Sequence, residues 1–292
     1  MNTDAKLLWQ PSKQRVAATR LSAFAKAAAK RWNRRLAGAD YSTLHAWSIV
    51  HPEEFWTSVW EFGDVIGDMG NAVLVDGEKM HGARWFPRAR LNFAENLLCR
   101  PGNPEAMVFW GEDKVKGRVS RAELHRAVAQ TAAALRAMGV VKGDRVAAYL
   151  PNIPATVVFM LAAASIGAIF SSASPDFGVQ GVVDRFGQIE PKLLVACDGY
   201  WYNGKLIDCL GKLREIAARL PSLERVVVVP YAGGEGDGDD LAGIRKGVTL
   251  AAFLAPFLAQ HKVKFERLPF DHPLYIMYSS GTTGVPKCIV HC

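Results

Sequence analysis

The ten residues Tyr278–Lys287, YSSGTTGVPK, put four hydroxyl side chains, two glycines and a lysine into one short loop. Gly281 and Gly284 let the backbone take positive φ and approach a ligand closely. Successive N–H groups in such a loop form an anion-binding nest. Ser279, Ser280, Thr282 and Thr283 add hydroxyl donors, and Lys287 adds a point charge. Together these groups suit a polyphosphate tail. A Ser/Thr/Gly turn with no ligand is the competing reading of the same composition.

The elements that must carry the loop are legible around it. LYIMY before it and CIVH after it are apolar runs, so the pattern reads strand, loop, strand. A Walker A loop needs GxxxxGK[ST] between a strand and a helix. Pro286 precedes Lys287 here and a strand follows, so that reading is set aside. Upstream, strands are expected at 107–110, 145–150, 168–174, 192–198 and 225–230. Helices are expected between them, at SRAELHRAVAQTAAALRAM, PATVVFMLAAASIG, GVQGVVDRFGQI and NGKLIDCLGKLREIAARL. Ser120 with Glu123 makes a capping box, and Gly139 closes that helix. Continuous apolar strands alternating with helices predict an α/β fold, a parallel sheet covered on both faces with right-handed crossovers. Residues 1–100 read as a Trp-rich helical leader and 101–292 as the main domain. Phe55, Trp56, Val59 and Trp60 form a helical stripe, with Pro52 at its first turn. Residues 233–243, rich in Gly and Asp, read as a surface loop.

Composition narrows the function classes. The net charge of +7 is concentrated between residues 5 and 39, where nine basic residues meet no acid. The rest is close to neutral, which argues against nucleic-acid binding. That basic stretch reads either as a transit peptide or as an amphipathic helix belonging to the fold. No window of 18 apolar residues occurs, so no membrane span is expected. The cysteines Cys99, Cys197, Cys209, Cys288 and Cys292 form no CxxC pair, and the histidines form no metal pattern. Free thiols, no zinc site and a reducing cytoplasm are expected. His272 and His291 flank the loop without forming a recognisable site.

As an ordered string, YSSGTTGVPK resembles the phosphate-binding signature of the adenylate-forming (AMP-binding) enzymes, which include acyl-CoA synthetases, luciferases and peptide-synthetase adenylation domains. LWQPS (8–12), YSTLHAWSIVHPEEFW (41–56), GARWFPRARLNFAENLL (82–98) and YSSGTTGVPKCIVH look closest to the acetoacetyl-CoA synthetase branch, and the likeness runs from residue 8 to 292. Acetyl- and propionyl-CoA synthetases share parts of it. The resemblance implies the N-terminal part of the large domain of the adenylate-forming fold. It implies ATP, Mg2+ and coenzyme A, with acetoacetate as the acid. An acyl-adenylate forms first, and the CoA thiol then displaces AMP. Ser279, Ser280, Gly281, Thr282, Thr283, Gly284 and Lys287 would grip the β- and γ-phosphates.

By the same resemblance the segment after the 192–198 strand approaches the nucleotide end of coenzyme A. Lys205 and Arg185 are therefore candidates for its phosphates, against the alternative of solvated surface charges. Tyr200, Trp201 and Tyr202 either stack on adenine or cover the sheet edge. Cys288 stands where the family often has Ala or Gly, and Arg88 where Gly is more usual. Family members are longer than this chain. The adenine and acyl pocket, the magnesium acid and the adenylation lysine are expected beyond Cys292, so the chain alone is expected to lack ligase activity. A nucleotide- or CoA-binding module without catalysis is the alternative from another class.

Overall fold

The structure is a computed structural model describing residues 8–100, 102–233, 241–279 and 284–292. Contacts divide the chain into two compact units, Met1–Ala89 and Arg90–Cys292.

The first unit holds α1 (Lys13–Ala17), α2 (Arg20–Trp32), α3 (Tyr41–Val50) and α4 (Pro52–Phe62). Its short strands are β1 (Gly67–Asp68), β2 (Leu74–Val75) and β3 (Arg84–Trp85). Pro52 opens α4, and Glu53 and Glu54 occupy its first turn, where the helix dipole favours them. The basic stretch forms α2, which buries Phe24, Ala25 and Ala28. Phe24 packs edge-on to Phe55 and Phe62 of α4, so one side of the aromatic stripe is core. Trp56 and Trp60 lie on another side, against Trp85 and Phe86.

The second unit begins with β4 (Arg90–Leu91) and α5 (Phe93–Leu98), then an antiparallel hairpin of β5 (Glu105–Gly111) and β6 (Val115–Ser120). The 107–110 strand therefore lies outside the parallel sheet. Its exposure alternates along the strand, as a one-sided hairpin requires. Next come α6 (Arg121–Ala137), β7 (Arg145–Tyr149), α7 (Pro154–Ser165), β8 (Ile169–Ala173), α8 (Val179–Ile189) and β9 (Leu193–Cys197). The capping box of α6 forms in full, and Gly139 follows it at φ 86°. β10 (Gly199–Tyr202) and β11 (Lys205–Asp208) pair antiparallel before α9 (Leu210–Arg219). β12 (Arg225–Val229), β13 (Gly247–Thr249), α10 (Leu250–Leu254), β14 (Tyr275–Tyr278) and β15 (Cys288–His291) complete the unit.

The helix expected from Asn203 thus begins only at Leu210. Asn203 and Gly204 both take positive φ, 49° and 72°, and make the two-residue turn that Asn-Gly favours. That local preference outweighs the helical spacing of the residues after it. The 233–243 loop falls mostly outside the described residues.

Seven strands form one sheet in the order β13-β12-β9-β7-β8-β14-β15. Every neighbouring pair is parallel except β14 and β15. The chain starts in the middle at β7, steps to β8 on one side, then returns past β7 to β9 on the other. A right-handed crossover that reverses direction must change face. Accordingly α7 packs on one face with Val146, Leu193 and Val195, and α8 on the opposite face with Ala147, Tyr149 and Leu194. No helix among the described residues is long and apolar enough to cross a membrane.

Candidate functional site

All six parallel strands end at one edge of the sheet, where open α/β sheets bind their ligands. The hydroxyl-rich loop leaves that edge from β14. Its limbs are paired strands, with Tyr278 opposite Cys288, and the Ser279 N–H donates to the Lys287 carbonyl at 3.0 Å. Ser279 and Lys287 therefore face each other across the base of the loop. Gly284 takes φ 109° with open space where a Cβ would stand, and both Gly284 and Lys287 are exposed. Ser280, Gly281, Thr282 and Thr283 lie outside the described residues.

Beneath the loop the strand is tightly held. The Ser171 hydroxyl of β8 hydrogen-bonds the Ile276 carbonyl at 2.9 Å and the Tyr278 hydroxyl at 3.0 Å. Burial pushes the Tyr278 phenol up to about 12, and the Ser171 contact works the other way. A phenol kept neutral by the fold contributes stability that is complete below its unfolded value of 10.0 and is lost as pH rises toward about 12. Tyr278→Phe should flatten that part of the alkaline unfolding curve, followed by far-ultraviolet circular dichroism. An unchanged slope between pH 10 and 12 would remove Tyr278 from the account.

Arg185 of α8 reaches this corner. Its guanidinium carbon lies 4.1 Å from the centroid of the Phe177 ring and 5.8 Å from that of Tyr278, and its Nη1 donates to the Gly181 carbonyl at 2.6 Å. Two residues that the sequence reading passed over also hold the corner, Ser171 and Gln188. Gln188 Nε2 donates to the Pro286 carbonyl at 2.9 Å. Neither follows from local pattern, because each partner lies about a hundred residues away in the chain.

Lys205 stands elsewhere along the same edge. It pairs with Tyr202 across the Asn203-Gly204 turn, and Glu112 of the first hairpin accepts from both turn N–H groups at 2.6 and 2.8 Å. This hairpin follows β9, three strand spacings from β14, or about 14 Å. The structure thus sets Ser279 and Lys287 together at the base of the loop, with Arg185 against the neighbouring Tyr278, and leaves Lys205 apart. Tyr200 is buried, and its hydroxyl donates to Asp176 at 2.8 Å, so its ring is part of the scaffold rather than a free stacking platform. Ser174 and then Tyr200 hold the Asp176 carboxyl below its ordinary value. The Tyr149 hydroxyl donates to the Pro175 and Phe177 carbonyls, both at 2.8 Å, which fixes the connection between β8 and α8.

No group of three His, Cys, Asp or Glu side chains able to hold a metal occurs among the described residues. A hydroxyl-and-lysine donor set fits phosphate oxygens rather than a bare divalent ion. Mg2+ in this corner would be carried on the phosphates themselves. The cysteines are free; Cys197 and Cys209 lie buried with their sulfurs 4.0 Å apart.

Comparison with known proteins agrees with this fold. The AMP-binding enzyme family matches residues 93–292, and the acetyl-coenzyme A synthetase N-terminus matches residues 41–97. The acetoacetyl-coenzyme A synthetase of Rhizobium meliloti is 54% identical over 285 residues, 97% of this chain and 43% of that protein. The acetoacetyl-CoA synthetase of Xenopus tropicalis is 43% identical, over 99% of this chain and 43% of that protein. The solved acetoacetyl-CoA synthetase from Streptomyces lividans superposes with a TM-score of 0.87 at 41% identity, covering 97% of this chain and 42% of that one. The chain spans less than half the length of the relatives it matches. On its fold and a match that runs through nearly all of its second unit, the chain belongs to the AMP-binding enzyme family.

Proposed function

We propose that this chain contributes the phosphate-gripping part of an acetoacetate–CoA ligase, which converts ATP, acetoacetate and coenzyme A to AMP, diphosphate and acetoacetyl-CoA. The carrying observation is the loop from Ser279 to Lys287, closed at its base and set at the carboxyl edge of the sheet, in a chain this similar to acetoacetyl-CoA synthetases. The acid's carboxylate attacks the α-phosphorus of ATP, and diphosphate leaves in line. That step needs the tail of the nucleotide held still and its growing charge neutralised. Lys287 supplies the charge, and the loop's N–H and hydroxyl groups supply the donors: Ser279, Ser280, Gly281, Thr282, Thr283 and Gly284. Mg2+, when bound, shares that neutralisation on the phosphates. Coenzyme A is the second substrate, with Lys205 on its exposed hairpin as the group for a CoA phosphate. Arg185, stacked on Phe177 and Tyr278, belongs instead with the ATP loop. The setting proposed is the cytoplasm, with small molecules as substrates and neither nucleic acid nor membrane as a partner.

The test is acid-dependent exchange of labelled diphosphate into ATP, together with thioester formation, by the product of the gene encoding this chain. Acetoacetate should support both better than acetate or propionate. A preference for acetate or propionate would move the protein to the acetyl- and propionyl-CoA synthetases; the acetyl-coenzyme A synthetase N-terminus matches residues 41–97. ATP binding without exchange for any acid would leave a nucleotide-binding module.

A further inference from the structure

We propose that Gln188 is a positioning residue for Lys287, fixing the lysine's backbone so that its ammonium group is aimed before a ligand arrives. The inference rests on the phosphate-loop reading above. Two peptide groups flank the Cα of Lys287. The carbonyl of the first, at Pro286, accepts from Gln188 Nε2 at 2.9 Å. The carbonyl of the second, at Lys287 itself, accepts from the Ser279 N–H at 3.0 Å. A peptide group is planar, so holding its carbonyl holds the plane. With both planes held, φ and ψ of Lys287 are set, and only its side-chain torsions remain free.

Gln188 makes two further contacts. Its Nε2 donates to the Asp184 carbonyl at 2.6 Å, and its Oε1 accepts from the Cys288 thiol at 3.6 Å. The carboxamide therefore touches the residue before Lys287 and the residue after it, while its own helix braces it. That helix is firmly seated, because Val182, Phe186 and Ile189 of α8 are buried in the core. One turn away, Arg185 lies over Tyr278, directly opposite Cys288 in the hairpin. Helix α8 thus steadies both limbs of the loop, Arg185 the incoming one and Gln188 the outgoing one. Such support lowers the ordering cost of binding.

The arrangement also separates positioning from folding. Gln188 is exposed, so water replaces its bonds when it is removed, and the buried side of α8 is untouched. Titration calorimetry with inorganic tripolyphosphate, on the purified chain and its Gln188→Met, Lys287→Ala and double variants, tests the coupling. Gln188→Met should weaken binding about fivefold, the scale of one lost hydrogen bond, with an unchanged melting temperature. In the Lys287→Ala background the same substitution should cost less than about twofold, because the residue it serves is gone. The Ser279 amide should exchange with solvent faster in Gln188→Met. An equal loss in both backgrounds, or no loss with lysine present, overturns the proposal while leaving the phosphate loop standing. If the unaltered chain fails to bind tripolyphosphate, the loop reading falls and this inference falls with it.

Discussion

In the product of the gene encoding this chain, replacing Lys287 with alanine is expected to weaken binding of MgATP or inorganic tripolyphosphate roughly 10- to 100-fold, while AMP binding stays unchanged. A charge-assisted hydrogen bond contributes about 1.5–3 kcal/mol, and each 1.4 kcal/mol is tenfold in affinity. Lys287 is exposed at the base of the loop, and no ion pair of its own occurs among the described residues. Its loss therefore leaves no buried charge unpartnered, and the fold should be indifferent to it. Lys287→Arg should recover part of the affinity, because the charge returns on a differently shaped head. The AMP control separates contact with the outer phosphates from general damage to the site. A loss smaller than about threefold, or an equal loss for AMP, would take Lys287 out of the phosphate grip.

The second large effect is on stability. Asn92 of the LNFAENLL segment is 1% exposed and joins three parts of the second unit. Its Oδ1 accepts from the N–H groups of Ala94 and Glu95 at 2.9 and 3.3 Å and so caps α5. Its Nδ2 reaches the carbonyls of Ala164 and Ser165 at the end of α7, at 3.0 and 3.3 Å, and of Glu266 at 2.9 Å. Asn92→Ala removes a helix cap and the side-chain donor to the Glu266 carbonyl, while the Ala164 and Ser165 carbonyls keep the N–H groups of Gly167 and Glu266. The expected cost is about 2 kcal/mol, from roughly 1 for the cap and about 1 for the lost hydrogen bonds of the buried carboxamide. Asn92→Asp should fare no better, since it keeps the cap acceptor, loses the donors and buries a charge. Chemical denaturation monitored by circular dichroism measures both variants. A change below about 0.5 kcal/mol would mean that the three segments are held by something else.

These two residues mark how much the sequence discloses. The parallel strands were readable because burial on both faces demands unbroken apolar runs, as in Leu193–Cys197, where every residue is buried. The helix from Ser120 was readable because its cap is local. The loop stands out as a candidate because hydroxyls, glycines and lysine stand together in the chain. The hairpin at Asn203-Gly204 was signalled by that dipeptide, but the apolar spacing of the residues after it suggested a helix. Asn92 and Gln188 were not legible in their roles. Asn92 meets carbonyls at 164, 165 and 266, and Gln188 meets one at 286, and nothing in the spacing of neighbours announces such partners. Arg185 and Lys205 looked alike as basic residues near one segment. Only the strand order, with β9 and β14 separated by β7 and β8, sets them apart.

The antiparallel closure of the sheet at β14 and β15 has an electrostatic consequence. Where a phosphate loop runs from a strand into a helix, aligned peptide dipoles lend about half a positive charge at the helix start. Here the loop returns as a strand, whose dipoles largely cancel. Beyond the loop's own N–H groups, the positive field must come from discrete side-chain cations, chiefly the exposed Lys287. Counter-ions screen such charges readily, the screening length falling from about 10 Å at 0.1 M ionic strength to about 3 Å at 1 M. The hold on a polyphosphate should therefore slacken with added salt more steeply than in a helix-capped loop, and most of that slope should vanish with Lys287.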